Sequence, residues 1–339
     1  MTQNLTRRKI QFLAGFSLIE LLVSMAIGLV IMIAVMSAYL GSAGAGKMAE
    51  AQSRMNEDAQ AALSILSQHI RMAGNNPDQP NRVDSVNPAL TSVRNPVYGA
   101  TSLVLAGTAT TSNFSVRGCD GAFGTFTNVT SAASLDSLTC AAPVAATPSD
   151  SIAVSYEADR YNTIAANGLP TDCLGNALPV VTATLNTIVA GTSTAANVTY
   201  TVADNRFYVN TVSSVPSLYC KGIVNPIPQP LVENVEALRF RYGTISTATT
   251  STTATVAGYL DASEILTEAN MAALADDATR WSKVATVRIC IVVRSEAPVA
   301  PDAASAQYLD CSGTLVTATP DLRLRRAYTT TVVLRNRRL

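Results

Sequence analysis

Residues 15–39 read GFSLIELLVSMAIGLVIMIAVMSAY, an apolar run in which Glu20 is the only charged side chain. A helix rises about 1.5 Å per residue, and about twenty apolar residues cover the hydrocarbon of a bilayer, so 16–39 is long enough to cross one. The fifteen residues before Phe16, MTQNLTRRKIQFLAG, carry Arg7, Arg8 and Lys9 as their only charges. Basic residues beside a span tend to stay cytoplasmic, which puts everything after residue 40 on the far side of the membrane. A secretory signal has a shorter apolar core and a small-residue cleavage site after it; this run instead continues into Gly41, Ser42 and Ala43.

Beyond the span the helical rhythm continues from 47 to 73. Met48, Met55, Ala59, Ala62, Leu63, Leu66, Ile70 and Ala73 fall on one face, with Glu50, Arg54, Glu57, Asp58 and Arg71 turned mostly elsewhere. Gly74, followed by Asn75-Asn76-Pro77, is the expected stop. The 58 residues from 16 to 73 make one helix in two solvents, roughly 87 Å long. Only its first half fits in lipid, so the second must pack on a folded body. Three glycines at 41, 44 and 46 weaken the rod where the halves meet, each costing up to about 1 kcal/mol relative to alanine. Small residues there also suit a close helix–helix contact.

Charged residues make up 14% of the 339-residue chain and the formal net charge is +0, which gives no basic signature of a nucleic-acid binder. After Pro77 short runs of Val, Ile, Thr, Tyr and Phe alternate with Gly, Pro, Asn and Ser, the pattern of strands and turns. Strands are expected at 102–106, 151–156, 197–202, 206–209, 236–242, 284–294 and 327–335, in an antiparallel sheet. The Thr/Ser/Ala-rich stretches 182–196 and 244–255 read as loops or edge hairpins, and 271–278 as a short helix.

Six cysteines without a C-x-x-C pair point to disulfides in an oxidising compartment such as the bacterial periplasm. Fifteen pairings are open. Pairing in sequence order, Cys119–Cys140, Cys173–Cys220 and Cys290–Cys311, staples each long insertion locally and is the expectation. The 20-residue scale of such loops is worth about 3 kcal/mol in the chain-entropy model.

The junction Gly15-Phe16-Ser17-Leu18-Ile19-Glu20 behind a basic leader resembles the class III leader of type IV prepilins. The resemblance implies that a prepilin peptidase cuts between Gly15 and Phe16 and that Phe16 becomes an N-methylated first residue. It also implies that Glu20 sets filament register by pairing with the new amine of a neighbouring subunit. A carboxylate in a span costs a few kcal/mol, about what would make such a partner necessary. A position near the interface, relieved by water or headgroups, is the other reading of Glu20.

Further strings resemble the PilW family of minor pilins. They are AQAALSILSQHIRMAGNN at 59–76, SLYCKG at 217–222, LVENVEALRFRYG at 231–243, WSKVATVRICIVVRS at 281–295 and RAYTTTVVLRNRRL at 326–339. That resemblance implies an α+β type IV pilin fold, a long transmembrane and amphipathic helix packed on an antiparallel β-sheet body with large disulfide-stapled loops. Its parts would be a leader (1–15), a transmembrane half-helix (16–40), an amphipathic half-helix (41–74) and a periplasmic or extracellular body (75–339). It implies a single-pass inner-membrane precursor that joins a surface pilus with other minor pilins and the major pilin. Such a subunit helps prime assembly, often at the tip beside an adhesin, and so serves twitching motility, adhesion or DNA uptake. The prepilin peptidase and the inner-membrane assembly platform would be its other partners. The Thr-rich insertion after Gly243 departs from the family pattern. A J-type pseudopilin of type II secretion shares the leader and helix and is the alternative, with a membrane-tethered periplasmic enzyme more distant.

Catalysis is poorly supplied. His69 is the only histidine, lies within the amphipathic helix, and reads as a helix-surface residue. Asp120, Asp276 and Asp277 lack the repeated spacing of a calcium loop, and no phosphate-binding loop is written. No cofactor or metal is expected. Arg323, Arg325, Arg326, Arg335, Arg337 and Arg338 make a basic C-terminus that could meet DNA or an acidic subunit, although charges on a strand edge also block unwanted pairing.

Overall fold

In a computed structural model of the chain, the described residues are 17–74, 115–124, 138–141, 149–159, 161–189, 192–225, 227–245, 255–274, 277–317 and 319–335. Arg7, Arg8, Lys9, Gly15, Phe16, Asp276, Arg337, Arg338 and the expected strand at 102–106 lie outside them. The chain forms two compact units, Met1–Glu50 and Ala51–Leu339.

Helix α1 (Leu18–Met72) opens on Ser17, whose hydroxyl accepts the Glu20 N–H at 3.2 Å. It is continuous through the glycines at 41, 44 and 46. It stops where Gly74 takes the left-handed conformation, φ 73°, and donates its N–H to the Ser155 carbonyl at 3.0 Å. A left-handed residue carries no steric penalty when it is glycine, and the chain leaves the helix there.

The strands are β1 (Val116–Cys119), β2 (Ser151–Glu157), β3 (Val181–Val189), β4 (Thr192–Tyr200), β5 (Val202–Val212), β6 (Val215–Lys221), β7 (Gln229–Glu233), β8 (Val235–Ile245), β9 (Val256–Leu260), β10 (Val284–Arg294), β11 (Tyr308–Leu309), β12 (Leu315–Val316) and β13 (Arg325–Val333). Between β9 and β10 lie α2 (Ala262–Thr267), α3 (Ala269–Ala272) and α4 (Asp277–Ser282). The body therefore has two main sheets where one was expected: β1-β2-β5-β6-β7 and β13-β10-β8-β9, all pairs antiparallel. The hairpins β3-β4 and β11-β12 stand as separate two-stranded sheets.

Two local expectations are corrected and a third is resolved. The strands placed at 197–202 and 206–209 are the end of β4 and part of an eleven-residue β5, with only Thr201 between β4 and β5. The single helix at 271–278 is replaced by α3 and α4. The stretch 182–196, expected as a loop or an edge hairpin, is the hairpin, strand-paired throughout its described residues, Thr182 with Thr199 and Val189 with Thr192.

Period-two burial places the core. Val287, Ile289, Ile291 and Val293 of β10 are fully buried, as are Val235 and Leu238 of β8, and one hydrophobic cluster joins them to Ile152, Val154 and Phe207 and to α1. Tyr242 lies edge-on to Trp281, ring centroids 5.0 Å apart, and its hydroxyl occupies the space a side chain on Gly118 would fill.

All three disulfides join cysteines consecutive in sequence: Cys119–Cys140, Cys173–Cys220 and Cys290–Cys311. Two of them share a local device. In Asp172-Cys173-Leu174-Gly175-Asn176 the Asp172 carboxylate accepts the N–H groups of Leu174 and Asn176 at 2.9 Å, and in Asp310-Cys311-Ser312-Gly313-Thr314 the Asp310 carboxylate accepts those of Ser312 and Thr314 at 2.8 Å. The glycines take φ 76° and 77°, conformations that suit a residue without Cβ. Each turn holds its cysteine against a central strand, β6 in one sheet and β10 in the other. Asp-x-x-Gly turns are local in sequence, so these two hairpin tips can order before the distant strand arrives.

Candidate functional site

The anchor half of α1 is a helix for lipid. Among the described residues it is the one helix long and apolar enough to cross a membrane, and Leu18, Ile19, Met25, Val30, Met32 and Leu40 are all well exposed. Ser24 and Ser37 donate their hydroxyls to the carbonyls of Leu21 and Ala34, each at 2.9 Å. A hydroxyl satisfied by its own helix needs no water, which is what hydrocarbon demands. Glu20 sits in the first turn, where the unpaired N–H groups favour negative charge. Ser17 is a site residue that sequence reading passed over, although S-x-x-E before an apolar run is a legible helix-start signature. The leader residues and Phe16 lie outside the described residues.

The other half is a seat on the sheets. Met55, Ala59, Ala62, Leu66, Ile70 and Ala73 are buried, with Leu63 packed against the cluster at its margin. Their spacing of three and four keeps them on one stripe. Polar contacts fix the rotation of that stripe: the Tyr328 hydroxyl of β13 donates to Asn56 Oδ1 at 2.6 Å, and Arg54 meets Glu296 at 3.2 Å. The latter pair is 61% and 72% exposed and therefore worth little, about 0–1 kcal/mol.

His69 corrects the surface reading. Its ring stands 5.2 Å from that of Phe207, with Nδ1 3.0 Å from the Tyr156 hydroxyl and 3.3 Å from Asn205 Nδ2. Asn205 Oδ1 accepts the Cys173 N–H at 3.0 Å, so its amide NH2 is the end facing the imidazole. A donor there favours an unprotonated Nδ1, and burial lowers the pKa from 6.5 to about 4. The histidine is a neutral bridge between helix, β2, β5 and the Cys173 turn. Sequence could not reveal it, because its partners lie 87 and 136 residues away.

The isolated acids are also partnered. Asp120 accepts the Ala262 and Ser263 N–H groups, both at 2.9 Å, and so caps α2 from another segment. Asp277 pairs with Arg280 at 2.7 Å. Asp150, buried beside β8, takes the Arg239 guanidinium and the Phe240 N–H at 2.8 Å each, yet burial still pushes it up to about 7. Among the described residues no three His, Cys, Asp or Glu side chains group as metal ligands.

Much of the basic C-terminus is consumed internally. Arg325 binds Glu236 at 2.6 Å and Asp321 at 2.7 Å, holding the Asp321 carboxyl down to about 2. Arg323 donates to the carbonyls of Ser295, at 2.8 Å, and Glu296. These two guanidiniums serve the fold and are not displayed for a polyanion, whereas Arg326 and Arg335 are exposed.

An apolar N-terminal helix with an acid in its first turn, seated by its second half on an antiparallel, disulfide-stapled body, defines a type IV pilin-like protein. Residues 14–36 match the prokaryotic N-terminal methylation motif, and residues 200–336, from the end of β4 past β13, match the family model of Type IV Pilus-assembly protein W. The two matches together support a type IV pilin-like protein of the PilW family. No curated protein and no solved structure matches the chain. The two family matches support a type IV pilus minor pilin, a structural component, and the apolar N-terminal helix fits a membrane anchor.

Proposed function

We propose that this minor pilin is cut between Gly15 and Phe16, methylated on the Phe16 amine, and built into the fibre with other minor pilins to prime assembly at or near the tip. The leader 1–15 stays cytoplasmic, 16–40 crosses the inner membrane, 41–74 seats the body, and the body from 75 onward is periplasmic until the subunit joins the surface pilus. The observation that carries the reading is the pairing of a lipid-facing apolar half-helix with a first-turn carboxylate, inside a stretch that matches the methylation motif.

The chemistry of Glu20 supports the assembly role. In hydrocarbon the carboxylate needs a cation. After cleavage a neighbour's amine starts about four residues, or roughly 6 Å of helix rise, from its own Glu20, so a small axial offset between parallel helices brings amine to carboxylate. Each subunit then donates one charge and accepts the other.

The test is a deletion strain complemented with wild type, Glu20→Ala or Glu20→Asp. The reading expects loss of surface pili and twitching on deletion with type II secretion intact, rescue by wild type, and at least partial rescue by Asp but not Ala. Lost secretion with intact pili would assign the chain to a secretion pseudopilus instead.

A further inference from the structure

One end of the five-stranded sheet gathers features that the assembly site does not use. Antiparallel pairing of β2 with β5 and β5 with β6 puts the end of β2, the start of β5 and the end of β6 together. From that end leave the 158–180 loop, the β3-β4 hairpin and the 222–228 segment. The Cys173–Cys220 disulfide ties the first to the end of β6, and Asp172 packs against Gly222 at the start of the last.

The loop is built, and it displays apolar side chains. Asp159 Oδ1 accepts the Tyr161 and Asn162 N–H groups at 2.7 and 2.8 Å, and Thr171 Oγ1 donates to the Ile164 carbonyl at 2.5 Å. On this frame Tyr161 is 81% and Ile164 84% exposed, with Val180 at 56% and Ile227 at 62% nearby in the topology. Ordered backbone presenting exposed large apolar groups marks interaction surfaces.

The hairpin adds a second, independent observation. Among the described residues its two nine-residue strands pair only with each other, and no described strand meets the outer edge of either. A lone two-stranded hairpin is marginal in water, and edges are normally blunted with charge or proline. Residues 181–200 contain no Asp, Glu, Lys, Arg or Pro, and the whole stretch from Cys173 to Ala203 carries no charge. Nothing in its sequence protects these edges from another strand.

We infer that this end of the body is a docking surface for an uncharged strand edge of a neighbouring pilus subunit, which extends the β3-β4 hairpin by edge-on pairing while the exposed Ile164 and Val180 contact the incoming chain. The inference rests on the minor-pilin reading. Within a fibre of parallel anchors, neighbours are related head to tail, so the hairpin meets a different surface and not its own copy. Main-chain pairing would supply affinity, and the neutral stretch selects a neutral partner because a charged side chain would be desolvated against it.

The experiment uses the full chain in its host, with p-benzoylphenylalanine replacing Ile164 or Val180. Cells are illuminated, the chain is recovered under denaturing conditions, and adducts are identified by mass spectrometry, with sheared fibres probed for the chain in parallel. The expected result is an adduct with a different pilus subunit. Thr184→Lys/Thr194→Lys, which charges both strands at positions not opposite each other, should lower its yield about tenfold or more, as a loss of roughly one decade in affinity would. Thr184→Ser/Thr194→Ser should leave it unchanged. An adduct between two copies, no adduct in cells whose fibres contain the chain, or full yield from the lysine variant overturns the docking surface alone. Absence of the chain from fibres overturns the subunit reading and this surface with it.

Discussion

Replacing His69 with glutamine should change how stability depends on pH more than it changes stability at neutral pH. In the folded chain the imidazole has a pKa of about 4, against 6.5 when unfolded. The unfolded chain therefore binds the extra proton first, and the stability the neutral imidazole contributes is complete above pH 6.5 and is lost as pH falls toward 4. Between those values the slope is about 1.4 kcal/mol per pH unit, so acidification from pH 7 to 5 costs about 2 kcal/mol through this residue alone. Asp150 works the other way: its pKa is raised to about 7 from 3.8, so its contribution is complete below 3.8 and is lost as pH rises through 7. The two partly cancel in the wild type. Asp150 is common to both proteins, however, and the difference between their profiles isolates the histidine. The assay is urea unfolding of the full chain in detergent, followed by the fluorescence of Trp281, the only tryptophan, which is buried against Tyr242. The stability difference between wild type and His69→Gln should shift by about 2 kcal/mol in favour of the variant from pH 7 to 5. Parallel profiles would refute the placement of a neutral His69 between helix and sheet.

Gly118→Ala should destabilise the body by about 1–3 kcal/mol or more, since its Cβ would overlap the Tyr242 hydroxyl inside a packed core; an unchanged urea midpoint would deny that contact. Removing Cys290–Cys311 as a pair of serines should cost about 3 kcal/mol for its 21-residue separation, and removing Cys173–Cys220 about 4 for its 47, measured by the same unfolding. Asp310→Ala strips two N–H acceptors from the turn that carries Cys311 and should slow formation of that bond in refolding with oxidised glutathione, while Asp310→Asn, which keeps an acceptor, should largely restore it. Disulfide mapping by mass spectrometry reads the outcome.

The parts of this molecule that can be read from sequence are those whose physics is local. The anchor declares itself by an unbroken apolar run, and the buried stripe from Met55 to Ala73 by spacings of three and four. The span of β10, Val284–Arg294, follows from an eleven-residue run rich in Val and Ile. Helix α2 was missed although Asp261 and Glu264 write a helix start, with the Asp261 N–H bonded to Glu264 Oε2 at 2.8 Å. Other features leave no local trace. Both sheets are antiparallel with the same alternation, so nothing short-range says that β8 turns away from β7 to begin a second one. His69 looks like any polar residue in an amphipathic helix until Tyr156, Asn205 and Phe207 are brought to it. The arginines of β13 read as a basic tail because the acids that engage Arg325, Glu236 and Asp321, include one 89 residues distant.

The account as a whole depends on a helix that begins at a new amine one turn before Glu20. Sequencing the N-terminal peptide of the chain recovered from sheared fibres tests this most directly. The account predicts a peptide that starts at N-methylated Phe16; a chain found in fibres with Met1 still at its start, or with an unmodified terminus elsewhere, would contradict it.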